Sequence, residues 1–307
     1  METLTWMKVI SHENIRIMRI TLRKLSFIRI ILAALICFAG TAVVAQHQEE
    51  DRRTIISWLE EAAEHFGPDS DPADVIEFYG RKQLGIEYVG GLLDADPVET
   101  LVVTLQGSDC VLYVENSFAL ALTTLQGSRS WDRFTENLKL MRYREGEIEG
   151  YNSRLHYFSD WMKTNEEKGL FKVLHQEPDL PVVNQVQFMS ANREAYPKLA
   201  ESDSLFYLIA TREAQLRSHT LYYVPTEKIP EYEKHWKTGD LLGFVSTIDG
   251  LDIAHTALIH RDGNRLGFYH ASTVGEVMKD PKTIYEYTRS RRNVKGVVVA
   301  RPLFTDN

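Results

Sequence analysis

Three side chains of this 307-residue chain have the type and setting for nucleophilic chemistry: Cys110, His255 and His270. Cys110 lies in Gly107-Ser108-Asp109-Cys110-Val111-Leu112-Tyr113-Val114-Glu115, where a polar turn passes into an apolar run. A thiolate is the attacking species, and a helix start with a base beside it lowers a thiol pKa from about 8.5 to roughly 3.5–7.5. Amide N–H groups at the same helix start can donate to a developing oxyanion. The plain alternative is a small buried hydrophobe, a frequent use of free cysteine.

The histidines tilt the balance toward chemistry. Ile253 to His270 reads as a β-hairpin around Asp262-Gly263-Asn264. With Asp262-Gly263 as the two-residue loop, Arg261 pairs with Asn264 and His255 stands directly opposite His270, their Cβ atoms ~4.5–5.5 Å apart. A Gly263-Asn264 loop shifts the register by two and leaves the rings diagonal, still on one face. One imidazole then activates the thiol and the second orients the first. Two facing histidines also suit a metal, but no third ligand has convincing spacing. Neither metal nor cofactor is expected.

The elements that must position these residues follow from periodicity. Arg52 to Phe66, Ala73 to Gln83 (capped by Asp71), Cys110 to Leu125, Trp131 to Arg142 and Tyr157 to Lys168 carry apolar residues at helical spacing. In Cys110 to Leu125 the stripe is Val111, Val114, Phe118, Ala121, Leu122 and Leu125, with Asp109 or Ser108 as cap. Glu201 to Arg217 is expected to be helical, and Pro97 to Leu105 reads as either a short helix or a strand. From Leu221 onward β-rich runs follow: Leu221–Pro225, Leu241–Ser246, Ile253–His260, Leu266–His270 and Gly296–Arg301. Helices first and a sheet after is an α+β order.

The N-terminus reads as a targeting segment. Arg16, Arg19, Arg23, Lys24 and Arg29 precede an uncharged run from Ile30 to Ala45. The run is short of the ~20 apolar residues of a comfortable span. Val43-Val44-Ala45 fits a signal-peptidase site, so cleavage is expected after Ala45, with Gln46 opening one catalytic domain over 46–307. Cys37 follows Ile36, too large for a usual lipidation site. Removing 6 Lys and Arg and 2 Asp and Glu from totals of 35 and 43 leaves 29 and 41, a net charge of −12. That excess argues against nucleic acid. One remaining cysteine excludes an intramolecular disulfide framework.

The motifs resemble the N-acetylmuramoyl-L-alanine amidase-like branch of the NlpC cysteine peptidase clan. Asp109-Cys110, His255-Thr256-Ala257 and His270-Ala271-Ser272 match its helix start, its histidine strand and its third polar position. Gly239-Asp240-Leu241 matches the strand before the histidine. Leu84-Gly85-Ile86-Glu87-Tyr88, Arg142-Tyr143-Arg144-Glu145-Gly146, Ser153-Arg154-Leu155-His156-Tyr157 and Asp160-Trp161 match elements of the branch. The similarity runs from Tyr79 to Pro302. Leu112, Tyr113 and Ala257 depart from the usual residues, and His260 is additional.

The resemblance implies a papain-like, NlpC-type fold, with a helical half packed on an antiparallel sheet or barrel. It implies an exported, periplasmic or secreted, monomeric hydrolase of the N-acetylmuramoyl-L-alanine bond in muropeptides. Cys110 would be nucleophile, His255 base and His270 orienter, with Tyr88, Asp109, Arg142, Arg154, His156, Tyr157 and Asp160 on the substrate. Without the resemblance, the charged and aromatic residues after Arg142 read as an ordinary solvated helix face. The competing readings are a γ-D-glutamyl stem-peptide endopeptidase of the same clan and a silent peptidoglycan-binding module. Arg289, Arg291 and Arg292 read as solvated surface.

Overall fold

The helix that begins at Cys110 is the spine of the molecule. In the computed structural model, which describes residues 46–183 and 186–304, it spans Cys110–Leu125, and every residue from Leu112 to Leu125 is buried. This exceeds the one-sided stripe expected from the sequence. The cause is that other elements cover it on all sides, so its polar residues must be satisfied internally. Ser117 donates to the Tyr113 carbonyl (2.8 Å), Thr123 donates to that of Ala119 (2.7 Å), and Glu115 takes the Arg142 guanidinium (2.6 Å).

Asp51–Asn307 forms one unit and Met1–Glu50 another; of the latter, residues 46–50 are described and are helical. Residues 1–45, expected as a targeting segment, lie outside the described residues. No helix among the described residues is long and apolar enough to cross a membrane.

The Asp51–Asn307 unit opens with α1 (residues 51–62), then α2 (Pro72–Lys82), α3 (Cys110–Leu125), α4 (Trp131–Arg142) and α5 (Phe158–Glu167). Asp71 caps α2 through a bond from the Ala73 N–H (2.9 Å), and Ser130 caps α4 through Arg133 (3.1 Å). Residues 97–106 are neither helix nor strand but an irregular strap. A short strand β1 (Phe171–Val173) precedes the small helices α6 (Phe188–Ala191) and α7 (Pro197–Ala200), the longer α8 (Asp203–Leu216), β2 (Val224–Pro225) and α9 (Ile229–Tyr232). The sheet half then supplies β3 (Leu241–Ser246), β4 (Ile253–Asp262), β5 (Arg265–Ala271), β6 (Val277–Lys279), α10 (Ile284–Ser290) and β7 (Val294–Pro302).

The sheet is antiparallel, in the order β1-β7-β3-β4-β5-β6, with β2 also on β7. One face packs on α3: Leu241, Val245, Leu258, Tyr269 and Val298 join Tyr113, Val114 and Phe118. Alternation sends Leu242, Phe244, Ala257, Ile259, Phe268, Val297 and Val299 to the other face, covered by Ile229, Trp236, Ile284 and Tyr287. A third cluster gathers Tyr151, Tyr157, Met189, Leu199 and Ile209. At the centre Phe118 meets Phe171 edge-on at 4.9 Å, and Trp161 stacks on Phe158 at 5.1 Å. Such pairs add about 0.5–1.5 kcal/mol each beyond area burial.

The hairpin register differs from the favoured expectation. Asp262 pairs with Arg265 and Leu258 with Tyr269, so the loop is Gly263-Asn264. Gly263 takes φ +57°, a backbone shape that favours glycine at the first loop position. His255 and His270 are therefore diagonal rather than opposite.

Candidate active site

The start of α3 is held by its own cap. Asp109 Oδ1 accepts from Val111 N–H (2.9 Å) and Leu112 N–H (2.8 Å), and the Tyr113 N–H donates to the Asp109 carbonyl (3.0 Å). Of the helix-start amides, which have no intrahelical partner, those of Val111 and Leu112 are taken by this cap, and that of Cys110 lies against its own sulfur. Asp109 thus serves the helix rather than standing free for a ligand. Just before it, Gly107 lets Val89 approach closely: a Cβ there would meet the Val89 side chain at 2.6 Å. Residues 85–89 are laced between this lead-in and the β5–β6 turn, with Ser108 N–H to Glu87 O (2.9 Å) and Tyr88 N–H to Gly275 O (2.7 Å). Tyr88 is thereby set beside Cys110 and Asp109. Its phenol is pushed up, first by burial and then by those two groups.

Strand β4 meets the helix start one residue from His255. The Thr256 hydroxyl donates to the Cys110 carbonyl at 2.6 Å. Phe244 pairs with His255 and Val245 with Ile253, so Ala254 is an extra residue on β4. Such a bulge re-aims the side chains beside it. His255 stacks on Phe244 at 6.0 Å between ring centroids.

The two imidazoles join despite the diagonal register. His255 Nε2 lies 2.7 Å from His270 Nδ1, with ring centroids 5.0 Å apart and planes at 82°. Both residues are buried. Since Nε2 is committed to this pair, Nδ1 is the nitrogen His255 has left for a proton from elsewhere. Burial, then His270 and Arg291, push His255 down to about 3. Burial pushes His270 down to about 4 although Asp280 opposes it. Both rings are neutral at pH 7.

The thiol does not follow the direction expected of a helix start. Cys110 as a residue is half-buried, yet burial followed by the Asp109 carboxylate pushes its thiol up to about 11, with Thr256 and the Cys110 N–H opposing the rise. The Val111 and Leu112 amides are spent on Asp109, whose carboxylate adds to the rise, and the Cys110 N–H is the helix-start amide that opposes it. Thiol and imidazole therefore rest uncharged.

Three residues around this site had no role assigned from sequence, and Arg291, read there as solvated surface, joins them. Thr256 sat inside a motif but had no assigned role. Asp280 Oδ2 lies 3.4 Å from His270 Nε2. Tyr287 of α10 packs on His270 at 5.8 Å, and the Arg291 guanidinium lies 4.5 Å over the Tyr287 ring. Arg291 is exposed, but it lowers the pKa of both histidines. Tyr287 lies on α10, a helix outside those expected from the sequence, and its place there does not reveal the neighbouring strand.

The charged and aromatic substrate candidates divide differently. Arg142 is buried, with Nε on Glu115 (2.6 Å) and Nη1 on the Val102 carbonyl (2.6 Å); Glu115 also accepts from Trp161 (3.0 Å). Tyr157 donates to Glu213 (2.7 Å) and accepts from the Met189 N–H (2.8 Å). Asp160 is buried between Arg144 (2.9 Å) and Arg212; burial raises its carboxyl, but the two guanidinium groups prevail and lower it. These three side chains stitch the strap, α4, α5 and α8 together, because buried charges must be paired. They do not present free groups to a ligand. His156 is held by the Tyr151 carbonyl (2.7 Å) and is kept neutral by burial. Arg154 pairs with Asp94 and with Glu99 (3.0 Å). Burial raises the Asp109 carboxyl, opposed by the Leu112 and Val111 N–H groups and then by Arg142 and Arg154.

Among the described residues no group of three His, Cys, Asp or Glu has the geometry to hold a metal. The fold is similar to that of an N-acetylmuramoyl-L-alanine amidase from Bacteroides uniformis, with 29% identity, 76% of this chain and 99% of that chain covered, and a TM-score of 0.71. A Bacteroides fragilis structure that carries a xylanase name is also 29% identical, over 73% of this chain and 98% of its own, at a TM-score of 0.68. A Legionella pneumophila protein of the DUF1460 family shares the fold at 22% identity, over 84% of this chain and 96% of that one, at a TM-score of 0.63. None of the curated proteins matches. The model of the AmiA-like family, described as N-acetylmuramoyl-L-alanine amidase-like, matches residues 78–296, well over half of the sequence, and the chain belongs to that family.

Proposed function

We propose that the protein is an exported peptidoglycan amidase that cleaves the N-acetylmuramoyl-L-alanine bond of muropeptides through Cys110. The observation that carries the reading is the 2.7 Å His255–His270 contact, which leaves His255 Nδ1 as the acceptor, one residue from the Thr256 tie to Cys110. The papain-like, NlpC-type arrangement is part of the same proposal.

The uncharged resting pair sets the order of events. His255 Nδ1 takes the thiol proton as Sγ attacks the lactyl carbonyl, so the thiolate forms only as its bond to carbon forms. The carbonyl oxygen gains negative charge and is met by the Cys110 amide N–H. The tetrahedral species collapses as His255 returns the proton to the alanine nitrogen, and the stem peptide leaves as an amine. Water, with His255 again as base, then hydrolyses the thioester and restores the thiol. No cofactor enters these steps.

The xylanase name of one relative does not suit this centre. Glycoside hydrolysis ordinarily uses two carboxyl groups flanking the bond, whereas the features here are a bonded imidazole pair and a cysteine tied to the residue after His255. The test is mass spectrometry of products from a defined disaccharide–peptide. Free disaccharide plus intact stem peptide is the expected result; a shortened peptide still on sugar assigns the endopeptidase activity instead. Export is tested by N-terminal sequencing of protein from the extracytoplasmic fraction, with Gln46 expected as first residue.

A further inference from the structure

A carboxylate stands behind the second imidazole. His270 Nε2 is buried without a hydrogen-bond partner, and the charged group facing it is Asp280 Oδ2 at 3.4 Å. That distance is long for a hydrogen bond, but the carboxylate is held in place. The Asp280 N–H donates to the Phe268 carbonyl (3.0 Å), and Oδ1 accepts from the Lys282 N–H (2.8 Å). Oδ2 is the oxygen left to turn toward the ring, and the side chain is only 10% exposed.

We infer that Asp280 is a positioning residue that fixes the tautomers of both histidines and so leaves His255 Nδ1 as an unprotonated base. The inference rests on the reading of His255 as the base for Cys110. A ring N–H directed at a carboxylate is attracted, whereas a ring lone pair directed at it is repelled. His270 therefore carries its proton on Nε2 and its lone pair on Nδ1. Across the 2.7 Å contact Nδ1 must accept, so His255 carries its proton on Nε2. The one nitrogen with a free lone pair is then His255 Nδ1.

The charged and titratable groups around the pair agree with this division of labour. Tyr287 packs on His270 from α10, and Arg291 lies over Tyr287, disfavouring an imidazolium on either ring. Asp280, just after β6, is the anion that opposes Arg291 at His270. When the S–H bond breaks and His255 Nδ1–H forms, the positive charge is shared along a row that ends on this carboxylate. No proton passes to Asp280.

The test is Asp280→Asn in the full chain. Asparagine keeps the size and the oxygen for the Lys282 N–H, but its amide can donate to His270 Nε2. That inverts both tautomers and puts a proton on His255 Nδ1. In a Ser-His-Asp arrangement the equivalent exchange costs about 10⁴-fold in turnover through the wrong tautomer. Two-bond ¹H–¹⁵N correlation spectra of histidine-labelled protein at neutral pH read the tautomers directly. The wild type is expected to show His255 protonated on Nε2, and the variant protonated on Nδ1. Muropeptide turnover should fall by about 10²–10⁴-fold with KM unchanged, and Asp280→Glu should recover part of it. An unchanged His255 tautomer in Asp280→Asn overturns the inference. The spectra need no substrate, so a failure of the amidase reading leaves this result decided separately. If Asp280→Asn loses the fold by circular dichroism, Asp280→Ser carries the same test; loss of fold in both assigns Asp280 to the fold and overturns the inference too.

Discussion

The Thr256 hydroxyl donates to the carbonyl of Cys110 at 2.6 Å, tying the first turn of α3 to the strand that carries His255. On the proposed reading the bond holds nucleophile against base, beside other polar ties between helices and sheet such as His260 to Glu77 (2.9 Å). Thr256→Val keeps the branched shape and removes the bond. Turnover is expected to drop at least about tenfold with little change in KM, since a misplaced reacting pair loses rate rather than affinity. Steady-state kinetics on a muropeptide check this, and equal turnover would remove Thr256 from the site.

The thiol should behave as an unactivated one in the free enzyme. Its pKa is raised to about 11, so the thiolate fraction climbs about tenfold per pH unit below that value. Alkylation by iodoacetamide should therefore keep rising through pH 9. A plateau reached near pH 6 would mean a preformed thiolate–imidazolium pair and would contradict the uncharged resting state.

The three central residues should differ in severity. Cys110→Ala is expected to abolish turnover with the fold retained. His255→Ala should come close to that, because the thiol then has no acceptor. His270→Ala should sit near the lower end of the 10²–10⁴-fold typical of acid–base groups, at about 10²-fold. Disaccharide release by Cys110→Ala would end the cysteine mechanism.

Arg142 should matter for folding rather than for substrate. It is buried against Glu115 with an N–O distance of 2.6 Å. Removing one member of such a pair leaves an uncompensated buried charge and costs about 3–5 kcal/mol. Arg142→Ala should lower the urea midpoint by that equivalent while the KM of the folded fraction is unchanged. A raised KM at wild-type stability would restore Arg142 to the substrate site.

Acid should weaken the fold over a defined window. His255 and His270 fall to about 3 and about 4 when folded, from the usual 6.5. The unfolded chain then binds more protons at low pH. Stability from these rings is present above pH 6.5 and is lost as pH falls toward 4, by up to about 1.4 kcal/mol per unit for each ring. Denaturant midpoints measured from pH 7 to 4 should fall, and His255→Asn should flatten the slope.

Local chemistry made much of this fold legible. The helix starts at Cys110 and Trp131 are written as a polar cap before an apolar run, and both stand where periodicity places them. The hairpin was legible too, but not its register, because Asp262-Gly263 and Gly263-Asn264 are both good two-residue loops and differ by tertiary packing. Long-range geometry was illegible. Asp280 and Tyr287 reach His270 only through sheet order and the return of α10, which leave no local pattern. Arg142, Tyr157 and Asp160, polar types suited to a ligand, sit in buried pairs whose partners, Glu115, Glu213 and Arg212, are remote in sequence and so left no local pattern.

The Cys110–Thr256 bond joins residues 146 positions apart. A chain made N-terminus first therefore carries the thiol long before it carries the two histidines. Until the last third of the polypeptide has emerged and closed the sheet, the sulfur is an ordinary thiol with no base, no orienting ring and no carboxylate behind it. On the proposed reading activity arrives last, as a property of completed folding, and a truncated product lacks it.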